Sequence, residues 1–356
     1  MKEAIALALK GKGFVNPNPA VGAVIVKNGK IIGRGYHQFF GQAHAERNAI
    51  FDAIKNRNDE NACKQATLFV TLEPCCHQGK QPPCTQIIIE SGISEVYIGS
   101  CDPNPLVNGQ GVRILREHNI IVHEKVLKSE CDAINPFFFH FIKNKTPFVI
   151  LKYAMSLNGT SKIKKGNKQI SCDMSLADVH KTRSEVMGVL VSYKTVNDDN
   201  CLLTNRFSKN THQSARIILD KNLKIKKNAR ILQTAQVSPI IIFYHTNKIW
   251  KIRFLKKCNV ELIKMPLLHG HLDLESVLKI LGNRNFDSIL VESSGKLAES
   301  FMAKNLVNKL QVYVGSNFIS KNFRKEICVK PVLNQISNDT VIEFSDNVRG
   351  KLCSQE

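Results

Sequence analysis

The chain has 356 residues, 43% of them hydrophobic and 22% charged. That excludes a disordered or collagen-like polymer, and the length exceeds what one hydrophobic core usually serves, so two domains are expected. Lys and Arg outnumber Asp and Glu by 50 to 30, a formal net charge of +20, which would permit an anionic partner. The cations are mostly Lys, run the whole length and accompany many Asn and Ile, so the charge reads as compositional rather than as a nucleic-acid footprint. Eleven Cys, with no secretory pattern around the short apolar run at 4–9, point to a reducing cytoplasm. No apolar run reaches the roughly 18 residues that cross a bilayer, so no membrane partner is expected.

In chain order, residues 2–10 carry apolar positions at helical spacing and end in Gly11-Lys12-Gly13, a glycine stop. Residues 20–26 and 30–35 are β-rich runs around Asn28-Gly29, the dipeptide that supplies positive φ in a two-residue hairpin. A helix over 43–55, a strand over 67–72, a Cys/Pro loop, a helix over 85–91 and a strand over 95–99 follow. The apolar run at 136–142 reads as buried strand or helix. Together they make an α/β domain at residues 1–146. Charge and proline at 143–147 punctuate the chain, and strand–helix alternation then restarts. Strands are read at 148–153, 186–191, 216–220, 239–244, 288–292 and 310–314, and helices at 175–184, 274–281 and 297–304. This is a second α/β domain, residues 147–356, with a strand-like tail from about residue 334.

His44-Ala45-Glu46 heads a helix, and Pro74-Cys75 follows a strand, with Cys84 behind Pro82-Pro83. One imidazole and two thiolates are a donor set that Zn²⁺ takes, and three protein ligands leave a fourth position for water, the mark of a catalytic site. Zinc lowers the pKa of such a water to about 7, and a carboxylate two residues from the histidine can ferry protons without binding metal. Glu46 fits that role. Taken singly, each of these residues reads equally well as core material; the joint pattern carries the functional reading. Cys63, Cys101, Cys131, Cys172 and Cys201 have no partner spacing and read as small apolar residues. His-x-Glu followed by Pro-Cys…Cys resembles the zinc deaminases, in which water displaces an amine from a ring carbon.

The stretch Glu73-Pro-Cys-Cys-His-Gln-Gly-Lys-Gln-Pro-Pro-Cys84 resembles the bacterial bifunctional riboflavin-biosynthesis deaminase/reductase family, whose pattern is Glu-Pro-Cys-x-His-x-Gly-Arg/Lys-x-Pro-Pro-Cys. Nucleoside and tRNA deaminases usually place their cysteines three apart. Further matches are Asn16-Pro17-Asn18-Pro19-x-Val21-Gly22, Gly35-Tyr36-His37 and Asp102-Pro103-Asn104-Pro105; Cys76 stands where the family commonly has Ser. The resemblance implies a cytidine-deaminase-like α/β/α zinc domain followed by a dihydrofolate-reductase-like α/β domain. It implies one zinc per chain on His44, Cys75 and Cys84, with Glu46 as proton shuttle. The implied substrate is a diaminopyrimidinone carrying a ribosylamino 5′-phosphate, contacted by Asn18, His77 and Lys80. Each of these three reads equally as a loop-fixing residue, since Asn-Pro pairs are turn formers.

Lys152-x-Ala154-x-Ser156-Leu157-x-Gly159, Arg183, Thr195-Val196, Asp199 and Leu203-Thr204-x-Arg206 follow in family order. The resemblance then implies NADPH-dependent reduction of the ribosyl group to ribityl. Arg183, Leu203, Arg206 and Glu292 would face the substrate, the two guanidinium groups suiting its phosphate. Ala154, Gln169, Ser171, Thr195, Asp199, Lys221 and the turn Ser294-Gly295-Lys296-Leu297 would lie against NADPH. A solvated helix face or a loop ion pair is the plain alternative for the arginines.

Departures gather on the cofactor side. Ser293 and Ser294 stand where the family writes glycines, Gln169-Ile170-Ser171 lacks an aromatic, Asp199-Asn200-Cys201 replaces Asp-Asp-Pro, and Lys221 replaces a hydroxyl residue. If either serine position requires positive φ, its Cβ is costly. Two readings of the second half therefore stand: a working reductase, with Lys168 or Lys221 supplying charge towards the NADPH 2′-phosphate, and a domain that has lost activity. The expectation is the first. A nucleic-acid-acting deaminase with a basic binding domain is the rival from another class, opposed by the cysteine spacing. A zinc-stabilised protein without catalysis is the third reading, and it would make every activity indifferent to Glu46. Monomer and homo-oligomer both remain open.

Overall fold

The structure, a computed structural model, describes residues 1–78, 82–104, 107–156, 158–161, 173–206 and 212–315, with the backbone of short strands at 317–319, 324–326, 332–336 and 339–343. By compactness the chain forms two units, Met1–Phe148 with Arg183–Ile289, and Val149–Thr182 with Leu290–Glu356. Each is described by itself.

The first unit opens with α1 (Lys2–Leu9), β1 (Gly22–Lys27), β2 (Lys30–Tyr36), α2 (Ala45–Arg57), β3 (Thr67–Leu72), α3 (Cys84–Glu90), β4 (Glu95–Ser100), α4 (Gln110–Glu117), β5 (Ile121–His123), α5 (Lys128–Asp132) and α6 (Pro136–Asn144). Its five strands form one sheet, ordered β2-β1-β3-β4-β5. β1 runs antiparallel to β2 and β3, and β3, β4 and β5 run parallel. Asn28 and Gly29 adopt φ 52° and 72°, as the expected two-residue hairpin turn requires. A Cβ on Gly35 would lie 2.3 Å from the carbonyl oxygen of Ala45 and from the amide of Ala49, and one on Gly33 2.3 Å from Ala49 O. The glycines therefore let α2 lie almost on the strand, with Ala45, Ala49 and Ala53 buried at four-residue intervals between them. That close approach fixes where the first turn of α2 points.

The chain continues through β6 (Phe148–Ser156), α7 (Asp173–Glu185), β7 (Gly188–Ser192), α8 (Tyr193–Asp199), β8 (Ala215–Leu219), α9 (Arg230–Gln233), β9 (Ile240–Tyr244), α10 (Ile249–Lys257), β10 (Val260–Lys264), β11 (Leu267–Leu268), β12 (His271–Leu272), α11 (Leu274–Asn283), β13 (Ser288–Glu292), α12 (Lys296–Ala303) and β14 (Lys309–Gly315). In the first unit four of these strands lie in the order β10-β9-β8-β7, all parallel. Every residue of β8 and β9 is buried, which explains their continuous apolar runs rather than an alternating pattern. In the second unit the order is β13-β6-β14, with β14 parallel to β6.

The strands expected at 67–72 and 288–292 have those limits. The run at 136–142 is a helix with Pro136 in its first turn, where proline's missing N–H costs nothing. Nine of the elements named above were not expected: α4, β5, α5, α8, α9, α10, β10, β11 and β12. In α4 only Gly111, Val112 and Leu115 are buried, too thin a stripe to stand out from a loop. α10 is rich in Lys and Arg, and beyond Leu255 its buried residue is Lys251, so its periodicity is masked.

Candidate active site

His44 is the N-cap of α2, with extended backbone (φ −73°, ψ 166°), and Glu46 lies in the first turn. Cys75 follows the end of β3, and Cys84 is the first residue of α3. The loop between the cysteines is pinned by its own backbone: Thr85 N donates to Cys75 O at 3.1 Å and Cys84 N to Cys75 Sγ at 3.4 Å. His44 Nδ1 lies 3.5 Å from Cys75 Sγ and 3.3 Å from Cys84 Sγ. The three donor atoms all fall within 4.8 Å of one another. Around a tetrahedral zinc, bonds of about 2.1 Å to nitrogen and 2.3 Å to sulfur give an N···S edge of about 3.6 Å, so this donor set fits the metal.

The electrostatics of the corner favour a cation. A hydrogen bond with Cys84, opposed by burial and aided by His44, brings the Cys75 thiol down to about 4. Cys84 is pushed well above its ordinary value by the same hydrogen bond and by burial. Its bond to Cys75 raises His44. The corner thus already holds thiolate character, which is what a metal ligand needs. Glu46 is 3% exposed, and burial raises its pKa. A carboxyl whose pKa is raised in this way is suited both to accept and to return a proton.

Two further side chains shape the corner, and their roles depend on partners the sequence motifs do not reveal. His37 is buried and its Nδ1 sits 3.1 Å from Ala43 O, so Nδ1 carries the proton and Nε2 is left to accept. Asn18 Nδ2 lies 3.4 Å from that Nε2, and the His37 ring meets the His44 ring edge-to-face at 5.3 Å. Burial lowers the pKa of His37, which keeps it neutral in this role. Glu73 accepts the backbone N–H groups of Asp102, Gly109, Gly111 and Val112 at 3.1–3.4 Å. It therefore ties the end of β3, and with it Cys75, to the start of α4. A Cβ on Gly111 would lie 2.3 Å from Pro74 O, so only glycine permits this approach. His77 is exposed, Cys76 is half-buried, and Lys80 lies outside the described residues. Cys63 and Cys131 are buried free thiols, as expected of small apolar residues.

The residues expected to serve reduction fall into both units. In the first, Thr195 is in the opening turn of α8, directly after β7, and its N–H donates to the capping Ser192 Oγ at 3.3 Å. Asp199 ends α8 and is exposed; Arg183 is half-buried in the last turn of α7 and Arg206 is exposed. Lys221 follows β8 and donates from Nζ to Gly270 O at 2.7 Å. β7 and β8 are parallel, so Thr195 and Lys221 follow the same carboxyl edge, where open α/β sheets bind ligands. Leu203 is buried with φ 56°. The loop that carries it is held by Arg216, a fully buried guanidinium donating to Leu202 O, Ile231 O, Thr234 O, Thr234 Oγ1 and Ser238 O at 2.5–3.2 Å. The sequence placed Arg216 only as a strand residue.

In the second unit Ala154 lies on β6 and Glu292 ends β13, with Ser294, Gly295, Lys296 and Leu297 making the turn into α12. Gly295 alone in that turn has positive φ, 139°; Ser293 and Ser294 do not. The serines thus carry no backbone strain, and the concern raised by their Cβ atoms does not materialise. Asn200, where the family writes Asp, takes φ 43° as the C-cap of α8, a conformation asparagine tolerates. Gln169 and Ser171 lie outside the described residues.

A His-Cys-Cys corner with a buried glutamate at the head of α2, on a five-stranded mixed sheet, defines a zinc deaminase domain joined here to a further α/β domain. Residues 1–100 match the cytidine and deoxycytidylate deaminase zinc-binding region, and residues 147–334 match the RibD C-terminal domain. The riboflavin biosynthesis protein RibD of Actinobacillus pleuropneumoniae is 39% identical over 357 residues, covering 100% of this chain and 91% of the relative. That of Escherichia coli is 32% identical, covering 97% and 94%. A solved Thermotoga maritima diaminohydroxyphosphoribosylaminopyrimidine deaminase/5-amino-6-(5-phosphoribosylamino)uracil reductase is 37% identical, with a TM-score of 0.80 over 97% of this chain and 95% of that one. The chain belongs to the RibD family. It is a bifunctional deaminase and reductase of riboflavin biosynthesis, a hydrolase that uses zinc and an oxidoreductase that uses NADPH.

Among the described residues no helix is long and apolar enough to cross a membrane.

Proposed function

We propose that residues 1–146 deaminate a diaminopyrimidinone carrying a ribosylamino 5′-phosphate, and that residues 147–356 reduce the resulting uracil's ribosyl group to ribityl, in the cytoplasm. The observation that carries the first half is the set of three donor atoms within 4.8 Å beside a buried carboxyl two residues from the histidine. The substrate follows from the Thermotoga relative, whose name states both reactions.

In this reading His44, Cys75 and Cys84 would hold zinc, which when bound would lower the pKa of water there to about 7. Glu46 would take a proton from the attacking water and return it to the amine that leaves the ring as ammonia, which a carboxyl of raised pKa can do in both directions. His37 fixes the Asn18 amide so that its free donor and acceptor meet the pyrimidine edge. His77 and Lys80 contact the same substrate. In the second half Arg183 and Arg206 hold the phosphate, Leu203 and Glu292 bound the sugar, and Ala154, Gln169, Ser171, Thr195, Asp199, Lys221 and residues 294–297 face NADPH. NADPH, when bound, would supply the hydride for the reduction of ribosyl to ribityl.

The test is one cuvette of zinc-loaded protein in which ammonia release and NADPH oxidation are followed together. Glu46→Gln is expected to cut ammonia release about 10³-fold with zinc content unchanged, the size of a lost general acid–base. Ammonia release that ignores Glu46→Gln removes the proton-shuttle role. Ammonia without NADPH oxidation by the unaltered chain removes the reductase role.

A further inference from the structure

The Asn18 segment, residues 15–20, belongs to neither a helix nor a strand. Something other than a hydrogen-bonded ladder must therefore hold Asn18 in place. Downstream, Asn135 clamps Ala20 twice: Ala20 N donates to Asn135 Oδ1 at 2.8 Å, and Asn135 Nδ2 donates to Ala20 O at 2.9 Å. Within the segment Asn18 N donates to Val15 O at 2.8 Å. Upstream, the side chain of Asn16 reaches a residue 271 positions away: its Nδ2 lies 3.0 Å from Asp287 Oδ1 and 2.7 Å from Oδ2. Asn16 and Asp287 belong to the same compact unit, although Asp287 lies in the stretch that matches the RibD C-terminal domain.

Asp287 is a fixed post for this purpose. It is 1% exposed, its Oδ1 also accepts Ser288 Oγ at 2.5 Å, and its backbone carbonyl accepts Phe148 N at 2.7 Å. Its partners among the described residues are amide and hydroxyl donors and no cation. A carboxylate buried without a counter-ion is costly; what it supplies here is two oxygens facing one amide. The neighbouring backbone is equally close. A Cβ on Gly13 would lie 2.1 Å from Ser184 O, and Lys12 Nζ lies 3.6 Å from Glu185 Oε2. Asn16, Asn18, Asn135 and Asp287 line one cavity of about 20 Å³, room for roughly a single water. Asn18 therefore backs directly onto the clamp.

We propose that Asp287 is a positioning residue for deamination: a carboxylate from the reductase part of the sequence holds Asn16, and through it sets where Asn18 meets the pyrimidine. The proposal rests on the reading of Asn18 as a substrate contact. Asn18 touches a substrate edge rather than the reacting carbon, so loosening it weakens binding more than turnover. Deamination is thereby tied to the other half of the chain through a hydrogen bond, with no transfer of substrate required.

The experiment measures ammonia release from the diaminopyrimidinone phosphate by zinc-loaded full-length variants, without NADPH. Asp287→Ala is expected to raise KM about tenfold, with kcat and zinc content near those of the unaltered chain. Combining it with Asn18→Ala should add little beyond either change alone, because both act at one contact. Asn16→Asp alone sets two carboxylates face to face and should raise KM at least as far, whereas Asn16→Asp with Asp287→Asn exchanges acceptor and donor and should bring KM back towards its original value. A KM raised by Asn18→Ala but untouched by Asp287→Ala overturns the proposal, and so does an exchange variant that keeps its zinc and melting temperature but not its KM. A KM indifferent to Asn18→Ala instead removes the substrate-contact reading on which it rests.

Discussion

The metal corner and the residues expected to serve reduction are built in opposite ways. The corner draws every donor from residues 44–84, each at an element end, and brings the donor atoms within 4.8 Å of one another. Its geometry is set by short loops, a glycine-lined strand and the acceptor Glu73, so it is formed before any ligand arrives. The residues expected to serve reduction run from Ala154 to Leu297, fall into both compact units, and include exposed side chains such as Asp199, Arg206 and Lys296. Such a constellation depends on the ends of parallel strands and on turns, which vary more easily than a corner locked by backbone hydrogen bonds. The departures from the family pattern accordingly gather on that side, while the metal corner retains its pattern.

If the corner is preformed and independent, removing its metal should separate the two activities. Chelation is expected to bring ammonia release to background while NADPH oxidation on the already deaminated substrate persists. It should also lower the melting temperature, since a ligand at 1,000 times its Kd stabilises by about 4 kcal/mol. Equal loss of both activities would mean that the metal also supports the reductive half of the chain. Next in size is the support beneath the corner. Glu73→Ala strands four N–H groups, three of them buried, and should cost about 3 kcal/mol in urea unfolding, together with weaker zinc retention. A change below about 0.5 kcal/mol would show that the loop holds itself.

A pH titration addresses the place where the two parts of the sequence touch. Burial pushes Asp287 up to about 6 from an ordinary value of 3.8. Between those values the folded chain keeps a proton that the unfolded chain has lost, so stability falls as pH rises through that window and levels off above it. The loss should be about 2–3 kcal/mol at most, and Asp287→Asn should abolish that slope; an unchanged slope would assign it to another group. The smallest effects belong to the turn at residues 294–297, proposed to face the cofactor. Gly295→Ala should cost about 1–2 kcal/mol, because φ of 139° suits glycine. Ser294→Gly should change stability by less than about 0.5 kcal/mol and leave NADPH affinity within roughly threefold. A large gain in affinity from Ser294→Gly would mean that the serine obstructs the cofactor.

Much of this was legible from residue patterns. The hairpin at Asn28-Gly29, the helix that begins beside His44, the limits of β3 and β13 and the clustering of His44, Cys75 and Cys84 all follow from local chemistry: positive φ at a turn, a β-rich run, donors of the type zinc accepts. What failed to show were elements with thin or cationic faces, such as α4 and α10, whose burial is decided by neighbours. Function was subject to the same limit. His37 could be quoted as part of a motif, but its tautomer depends on Ala43 O and its purpose on Asn18.

By itself the sequence determined the chemistry available: one imidazole, two thiols and a carboxyl at spacings that suit a zinc deaminase, followed by a second α/β domain of reductase pattern. Tertiary structure alone decided which side chains hold that chemistry in place. Glu73 finds its N–H partners 29–39 residues away, Arg216 gathers carbonyls from the loop at Leu202, from α9 and from the loop after α9, and Asn16 meets Asp287 across 271 positions. A hydrogen bond between distant residues leaves no periodicity and no spacing rule, because what selects the partner is the path of the folded backbone.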